Sequence, residues 1–370
     1  MLNKQIGPDN ISIPAIGFGC DIQGKVGADF NILNRLILES YSLGSNFFDT
    51  APVYGDGDSE KVLGKAIKSI RRNVILATKV LPNDTTYEGV INSLESSLKR
   101  LQTDYVDLYQ VHWPNPDVPL SETMSAMEKL VADGKVRYIG VSNFTLKEIK
   151  ETIQHLYKNS LVSIQTEYNL FERSLEEELL PFAKEHNITI IAYSPLAQGK
   201  LANGRKQRTL INGLAKKYDA TPGQIVLRFL IDKPEVVAIP NTTKLKRLIE
   251  NIHSADFNID PEDLDKINKV CRTEIAYIDT RQIRVTNEYN RKVYSTLEEA
   301  KQNKMGMVPS PMELADEMKK GEFLKSVRLR RLSKQIDEQT YDLTEGRLRY
   351  WAWIIAFGWD KPIPSLVWYD

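Results

Sequence analysis

The sequence predicts an α/β protein, a (β/α)8 TIM barrel with a small C-terminal α+β domain. Eight short strand-like runs alternate with helix-period segments over roughly 250 residues, which is typical of this barrel. The connections are helical, and helical crossovers join parallel strands. A doubly wound sheet is the alternative fold, but the glycine-containing segment 17–20 does not develop the GxGxxG turn that normally follows the first strand of that fold.

The individual barrel elements follow from hydrophobic periodicity. Residues 4–13 alternate around the turn-forming segment Pro8-Asp9-Asn10 and predict a hairpin ahead of the barrel. The predicted barrel strands are 15–18, 47–49, 74–78, 105–111, 136–141, 163–167, 189–193 and 236–239. The predicted helices include 32–43, 87–101, 121–132, 146–157, 176–186, 224–231 and 262–270.

The pattern changes after the last of these helices, and we predict two domains, 1–272 and 276–370. The second segment is too long for a tail, and its aromatic residues suffice for a small core. Its predicted strands are 282–286, 327–332, 341–344 and 365–368. Its predicted helices are 297–302, 312–320 and 347–357. This mixture without a regular alternation predicts an α+β arrangement.

Composition excludes several classes of protein. The 370 residues include 49 basic and 49 acidic side chains, so no whole-protein field draws the chain to nucleic acid or membranes. The two cysteines, Cys20 and Cys271, cannot build a disulfide framework or a metal-ligand cluster, and we predict no metal site. The N-terminus lacks the apolar core of a signal peptide, and no apolar run approaches about 20 residues. We therefore expect a cytoplasmic protein.

Polar side chains at the predicted strand ends indicate proton chemistry. Asp49, Lys79 and His112 stand at the ends of three strands, and Tyr54 lies in the loop after the first of them. Reactive groups of a (β/α)8 barrel lie at the carboxyl ends of the strands. An ammonium near a phenol lowers the pKa of the phenol, a carboxylate can hold that ammonium, and an imidazole can donate to a substrate oxygen. This set suits protonation of a carbonyl oxygen as a hydride reaches the carbon.

Each of these residues also has an ordinary structural interpretation. Asp49 could cap a turn, Tyr54 could pack in its loop, Lys79 could be a solvated strand end and His112 a core histidine. Four such residues in order along the strand ends nevertheless favour one shared site.

Several stretches form a recognisable set of motifs: FFDTAPVYGDGDSEKVLGKAI, ILATKV, LKRLQTDYVDLYQVHWP, GKVRYIGVSNF, QTEYNLFER and AYSPLAQGKL. In these motifs the chain resembles the aldo-keto reductase family, over about residues 1–272. The resemblance implies a catalytic tetrad at Asp49, Tyr54, Lys79 and His112, with Tyr54 as the general acid and base. It also implies NADPH bound in an extended form across the barrel mouth, without a Rossmann domain.

The same resemblance implies the cofactor contacts. Ser142, Asn143 and Gln165 match the residues that bind the nicotinamide carboxamide, and Tyr193 matches the residue that stacks under the ring. The remaining implied contacts are Ser194, Leu196 and the loop through Lys200 for the pyrophosphate, and Asn241, Arg247, Glu250 and Asn251 for the adenosine phosphate.

The choice between NADPH and NADH depends on the adenosine end. Many members of the family carry a lysine near the position of Asn241, and its absence keeps NADH as the alternative cofactor. Lys244, Lys246 or Arg247 could instead face the 2′-phosphate of NADPH. The structural alternative for this basic stretch is a solvated helix start.

The C-terminal segment contains SPMELADEMKKGEF, VRLRRL and YDLTEGRLRYWAWIIAFGWDKPIPSLVWY. In these stretches it resembles the ParB N-terminal/sulfiredoxin-like fold. The turn Gly346-Arg347-Leu348-Arg349 opens a helix, and a helix N-terminus with arginines can bind phosphate. A phosphate site at Gly346, Arg347 and Arg349 is therefore one hypothesis. The chain lacks the Glu-Arg-Arg turn of ParB and the sulfiredoxin cysteine, so a structural cap or an oligomer contact is the other.

We predict an NADPH-dependent enzyme that reduces an aldehyde or ketone to an alcohol. Trp113, Phe18 and Phe144 are the predicted pocket walls. A sugar, or a phosphorylated or nucleotide-linked carbonyl, is the hypothesised substrate, since the C-terminal domain could hold a phosphate. The alternative is an NADPH-binding redox sensor or accessory module whose C-terminal domain binds a nucleotide or nucleic acid, although near-balanced charges in 276–370 argue against contact with DNA.

Overall fold

The computed structural model describes residues 2–7, 11–21, 30–199, 201, 204–271, 275–286, 294–307, 309–320, 326–336 and 338–368. The chain divides into two compact units. The first comprises Met1–Leu201 and Leu210–Asn268, and the second comprises Ala202–Thr209 and Lys269–Asp370.

The first unit contains a hairpin and eight parallel strands in sequential order. The hairpin pairs β1 (Asn3–Ile6) antiparallel with β2 (Ile11–Pro14), as predicted, and its turn at 8–10 lies outside the described residues. The barrel strands are β3 Phe18–Gly19, β4 Phe47–Asp49, β5 Ile75–Val80, β6 Val106–Val111, β7 Val136–Ser142, β8 Leu161–Glu167, β9 Thr189–Tyr193 and β10 Val236–Ala238.

The sheet closes between its first and last strands. A parallel bridge joins Ile16 to Ala238, and the amide of Gly17 donates to the Ala238 carbonyl at 2.8 Å. The amide of Ala238 in turn donates to the Ala15 carbonyl at 2.9 Å. Closure removes the sheet edges, and the predicted (β/α)8 barrel is confirmed.

Ten helices are described in the chain up to residue 271. They are α1 Phe30–Ser42, α2 Asp58–Ile67, α3 Tyr87–Leu101, α4 Leu120–Ala132, α5 Leu146–Gln154, α6 Leu179–Glu185, α7 Gly204–Lys217, α8 Pro222–Ile231, α9 Leu245–His253 and α10 Pro261–Cys271. Helix α6 begins later than predicted, because Pro181 lacks an amide proton and fits only the first turn. Thr145 and Thr221 begin α5 and α8 with capping boxes, which satisfy amides that have no partner within the helix.

The hairpin contributes to the barrel core at the end away from the strand termini that carry the polar residues. Ile6 and Ile13 pack in one buried cluster with Phe47, Leu108 and Val237. Such side chains fill the barrel interior at this end, and reactive groups of a (β/α)8 barrel lie at the carboxyl ends of the strands.

The second unit contains a five-stranded sheet in the order β11-β15-β13-β14-β12. Its elements are β11 Ile275–Ile278, β12 Ile283–Arg284, α11 Leu297–Lys301, α12 Pro311–Lys319, β13 Val327–Ile336, β14 Gln339–Glu345, α13 Arg347–Phe357 and β15 Ile363–Trp368. Tyr350, Trp351 and Ile354 of α13 pack with Val327 and Leu329 of β13 in one core. The edge strand β11 was not predicted from the sequence. The helix α12 packs against Ala352 of α13 in a second buried cluster, while the likeness to the ParB fold stays a prediction.

Within the ranges that the structure describes, every helix is too short or too polar to cross a membrane.

Candidate active site

Three neighbouring strands and one turn bring the predicted tetrad together. Asp49 ends β4, Lys79 is the penultimate residue of β5, and His112 directly follows β6. Tyr54 lies in the turn before α2, where its amide donates to the Ala51 carbonyl at 3.1 Å. Because β4, β5 and β6 are adjacent and parallel, their carboxyl ends meet at one rim of the barrel.

A buried ion pair forms the base of the site. The Lys79 Nζ atom lies 2.6 Å from Asp49 Oδ1 and donates to the Thr50 carbonyl at 2.9 Å. The Lys79 side chain has no solvent exposure. Burial lowers the pKa of Lys79, but the charge and hydrogen bond of Asp49, together with the neighbouring Tyr54 phenol, raise it by more, so the pKa ends above its ordinary value. Lys79 is therefore a fixed positive charge.

Tyr54 lies directly against that charge. Lys79 Nζ lies 5.2 Å from the centre of the Tyr54 ring. Burial raises the pKa of Tyr54, and the nearby charge of Lys79 opposes that effect without cancelling it. The sequence predicted that Lys79 lowers the pKa of Tyr54. Lys79 has that effect, but burial raises the pKa by more. The phenol keeps its proton at neutral pH, as a proton donor must.

His112 completes the tetrad as a neutral imidazole. Its ring lies 6.1 Å from the Tyr54 ring, nearly perpendicular to it, and stacks on Trp113 at 3.7 Å. Burial and the charge of Lys79 lower the pKa of His112 to about 2. The Nδ1 atom has no hydrogen-bond partner among the described residues. Since an unpaired buried N–H is costly, the proton is assigned to Nε2, which makes that atom a donor.

Two glutamines that surround Asp49 extend the site toward β8. Gln165 Nε2 donates to Asp49 Oδ2 at 2.8 Å, and Gln110 Nε2 donates to the same oxygen at 3.1 Å. Sequence reasoning placed Gln165 in the cofactor site but missed Gln110. Its spacing two residues before His112 on a barrel strand was the available signal, because residues i and i+2 face the same side.

The predicted carboxamide contacts lie next to the tetrad. Asn143 follows β7 with φ of 62°, and its Nδ2 atom donates to the His112 carbonyl at 3.0 Å and to Ser142 Oγ at 3.1 Å. The Tyr193 hydroxyl donates to Asn143 Oδ1 at 2.8 Å. Ser142 and Gln165 are buried at the ends of adjacent strands. These four residues therefore converge on one rim.

The predicted pyrophosphate segment has unusual backbone geometry. Ser194 follows β9 with φ of 47°, and Ala197 and Gln198 have φ of 45° and 58°. Positive φ is unfavourable for residues other than glycine, and such strain tends to occur at functional sites. The Leu196 carbonyl accepts from the Gly199 amide at 2.8 Å, while Lys200 lies outside the described residues.

The predicted adenosine segment lies before and along α9. Asn241 donates through Nδ2 to the Asp21 carbonyl, and Asn251 is buried. Arg247 is exposed in the first turn of α9, and no ion pair of Arg247 occurs within the described ranges. Lys246, by contrast, lies 3.9 Å from Glu250.

The three predicted pocket walls differ in exposure. Phe18 and Phe144 are buried, whereas Trp113 is 43% exposed beside His112. Val53, next to Tyr54, is 44% exposed. Trp113 and Val53 are thus exposed apolar side chains near the tetrad that a bound molecule could contact.

The predicted phosphate residues of the second unit are already engaged by the protein. Gly346 caps α13 with φ of 89°, and Arg347 Nη2 donates to the Thr286 carbonyl. Arg349 Nη1 donates to the Ser326 carbonyl at 3.1 Å. These contacts favour a structural role, and the phosphate site stays a prediction.

Comparisons with known proteins match the part of the chain that forms the barrel. A model described as the Aldo/keto reductase family matches residues 16–272. Methylglyoxal reductase YeaE of Escherichia coli is 34% identical over 261 residues, which are 70% of this chain and 92% of that protein. Glyoxal reductase of Bacillus subtilis is 36% identical over 234 residues, which are 62% of this chain and 80% of that protein. A crystal structure of an aldo-keto reductase from Klebsiella pneumoniae in complex with NADPH has a TM-score of 0.66 and 34% identity, and covers 73% of this chain and 95% of that one.

Proposed function

The chain belongs to the aldo/keto reductase family, and from this membership we propose that it reduces an aldehyde or ketone to an alcohol with NADPH. The observation that carries the proposal is the position of Lys79 Nζ, which lies 5.2 Å from the centre of the Tyr54 ring and 2.6 Å from Asp49 Oδ1. This arrangement provides a loaded proton donor and a positive charge that stabilises the phenolate left behind.

The residues at the rim fit a nicotinamide carboxamide. Asp49 accepts a hydrogen bond from the Gln165 amide nitrogen. The Gln165 carbonyl oxygen therefore points away from the carboxylate and can itself accept a hydrogen bond. Ser142 Oγ accepts from Asn143 and keeps its own hydroxyl proton to donate. A carboxamide needs one acceptor and one donor, so we assign it to Gln165 and Ser142, with Asn143 and Tyr193 shaping the same surface. Ser194, Leu196 and Lys200 are assigned to the pyrophosphate, and Asn241, Arg247, Glu250 and Asn251 to the adenosine phosphate.

NADPH, when bound, supplies a hydride to the carbonyl carbon. The Tyr54 hydroxyl transfers its proton to the carbonyl oxygen, where negative charge develops. Lys79 stabilises the phenolate that forms, and Asp49 keeps Lys79 in place. His112 donates a hydrogen bond from Nε2 to the same oxygen and orients the carbonyl, because its low pKa keeps the imidazole neutral.

Small 2-oxoaldehydes are the first class of substrate that we propose, because two relatives are named for methylglyoxal and glyoxal. Trp113 and Val53 give the region next to the tetrad an apolar, exposed surface suited to a small carbonyl compound. Sugars and phosphorylated or nucleotide-linked carbonyls are the second class to test.

The deciding experiment measures NADPH consumption with methylglyoxal, glyoxal, aldoses, ketoses and phosphorylated carbonyls. In Tyr54→Phe, turnover should fall by about 10²–10⁴-fold, the usual contribution of a general acid, while NADPH still binds. Tyr157→Phe is the matched control, because Tyr157 is 80% exposed. Undiminished turnover in Tyr54→Phe would remove the proposed mechanism. A wild-type protein that binds NADPH but turns over none of these substrates would favour the sensor or accessory role instead.

We propose that the chain has two domains, a barrel domain at 1–272 and a C-terminal domain at 276–370. The contacts of Arg347 and Arg349 support a structural role for their turn. Calorimetric titration of the full chain with ATP, CTP and duplex DNA tests the alternative of nucleotide or nucleic acid binding. Heat of binding that Arg349→Ala abolishes would support a phosphate site at this turn.

A further inference from the structure

We infer that Gln110 is a positioning residue that fixes the orientation of the Gln165 amide and thereby sets the affinity for the nicotinamide carboxamide. The inference rests on the proposed function, which places that carboxamide at Gln165. Gln110 lies on β6 with its side chain completely buried, two residues before His112.

Three side chains form a closed ring of hydrogen bonds. Asp49 Oδ2 accepts from Gln165 Nε2 at 2.8 Å and from Gln110 Nε2 at 3.1 Å. Gln110 Oε1 accepts from Gln165 Nε2 at 3.3 Å. The ring therefore connects β4, β6 and β8 across the barrel interior, with Gln110 bonded to both other members.

The ring permits one orientation of each amide. The Asp49 carboxylate, paired with Lys79, can only accept hydrogen bonds, so both glutamines must turn their NH2 groups toward it. The Gln110 carbonyl oxygen then faces the Gln165 NH2 group, and the Gln165 carbonyl oxygen is directed away. If the Gln165 amide were flipped, its carbonyl oxygen would face Asp49 Oδ2 and Gln110 Oε1, which are both acceptors. Gln110 therefore adds a second penalty against the wrong orientation, beyond the one from Asp49.

The effect should be separable from the proton-transfer machinery. Lys79 bonds to Oδ1 of Asp49, whereas Gln110 bonds to Oδ2. Removal of the Gln110 amide thus leaves the Lys79–Asp49 pair and Tyr54 in place. We expect weaker binding of the cofactor.

The test is a thermodynamic cycle that compares the wild type and a Gln110 variant in their binding of NADPH and of one NADPH analogue. Dissociation constants are measured for NADPH and for its analogue with an acetyl group in place of the carboxamide, which lacks the NH2 donor. Gln110→Met keeps the length of the side chain and removes its amide. It should weaken NADPH about tenfold but the analogue less than about twofold, since the loss of one hydrogen bond is of this order. Tyr109→Phe, the neighbouring buried residue on β6, should bind both like the wild type.

Equal weakening of NADPH and the analogue by Gln110→Met would overturn the inference, because a general packing defect does not distinguish them. If Gln110→Met fails to fold, Gln110→Leu serves the same comparison. Gln165→Leu separates the two hypotheses. If it weakens NADPH while Gln110→Met does not, the inference alone fails; if it weakens neither cofactor, the proposed carboxamide site fails as well.

Discussion

Lys79 Nζ lies 2.6 Å from Asp49 Oδ1, and both side chains are buried in the barrel. The pair links β4 to β5 at the rim where the Tyr54 ring centre lies 5.2 Å from the ammonium. A buried pair of this kind gains little over an apolar substitute, but a single partner left alone is costly. Its retention in the barrel is therefore better explained by function than by stability.

Lys79→Met should abolish turnover and lower the free energy of unfolding by about 3–5 kcal/mol, because it leaves Asp49 buried without its partner. The double variant Lys79→Met/Asp49→Asn should regain a large part of that stability, but none of the activity. Urea unfolding and NADPH consumption of the three proteins measure the two effects. A single variant as stable as the wild type would contradict the burial argument.

His112 predicts a specific dependence of stability on pH. Burial lowers the pKa of His112 from 6.5 to about 2. Below pH 6.5 this imidazole therefore binds a proton in the unfolded chain but not in the native protein. Stability conferred by the neutral imidazole is thus present above pH 6.5 and lost as the pH falls. Relative to His112→Gln, the wild type should lose about 2 kcal/mol between pH 6.5 and 5. A constant difference over this range would show that the native imidazole titrates normally.

Arg247 should determine the preference for NADPH over NADH. The side chain is exposed in the first turn of α9, where a guanidinium and the helix N-terminus both favour a phosphate. Arg247→Ala should raise the Kd of NADPH about tenfold and leave that of NADH unchanged, as expected for one charge-assisted hydrogen bond. Lys246→Ala is the matched control, since Lys246 lies near Glu250. Selectivity lost in the control instead would move the phosphate contact to Lys246.

Asp342 should be important for the stability of the second unit. Its buried carboxylate receives hydrogen bonds from Arg284 Nε at 2.6 Å and Arg330 Nη2 at 2.8 Å, across three adjacent strands. Asp342→Ala should destabilise the protein by about 1–3 kcal/mol, because the hydrogen bonds from two partly exposed guanidinium groups to a buried carboxylate are lost. Asp316→Ala, an exposed residue paired with Lys319 on α12, should change stability little. Denaturant unfolding followed by tryptophan fluorescence checks both, and equal effects would refute the argument.

Much of the fold could be predicted from local pattern. The bounds 47–49, 87–101, 189–193 and 347–357 agree with β4, α3, β9 and α13, because periodicity and flanking turn residues are local signals. The start of α6 and the edge strand β11 were missed. Pro181 decides the first, and pairing with β15 decides the second, which is a contact between residues far apart in the chain.

The candidate site divides in the same way. The chain order of Asp49, Tyr54, Lys79 and His112 at strand ends was enough to predict one shared rim, since parallel strands necessarily align their carboxyl ends. The ring of Asp49, Gln110 and Gln165 could not be read from spacing, because it depends on which side chains meet inside the closed barrel.

The sequence by itself determined the barrel, the family and the identity of the proton-transfer residues, all of which rest on periodicity and order along the chain. Only the tertiary structure decided that Tyr54 keeps a raised pKa despite Lys79, and that Gln110 belongs to the site. The physical reason is that burial and hydrogen-bond direction are properties of the surroundings of a side chain, and those surroundings are assembled from residues as far apart as Asp49 and Gln165.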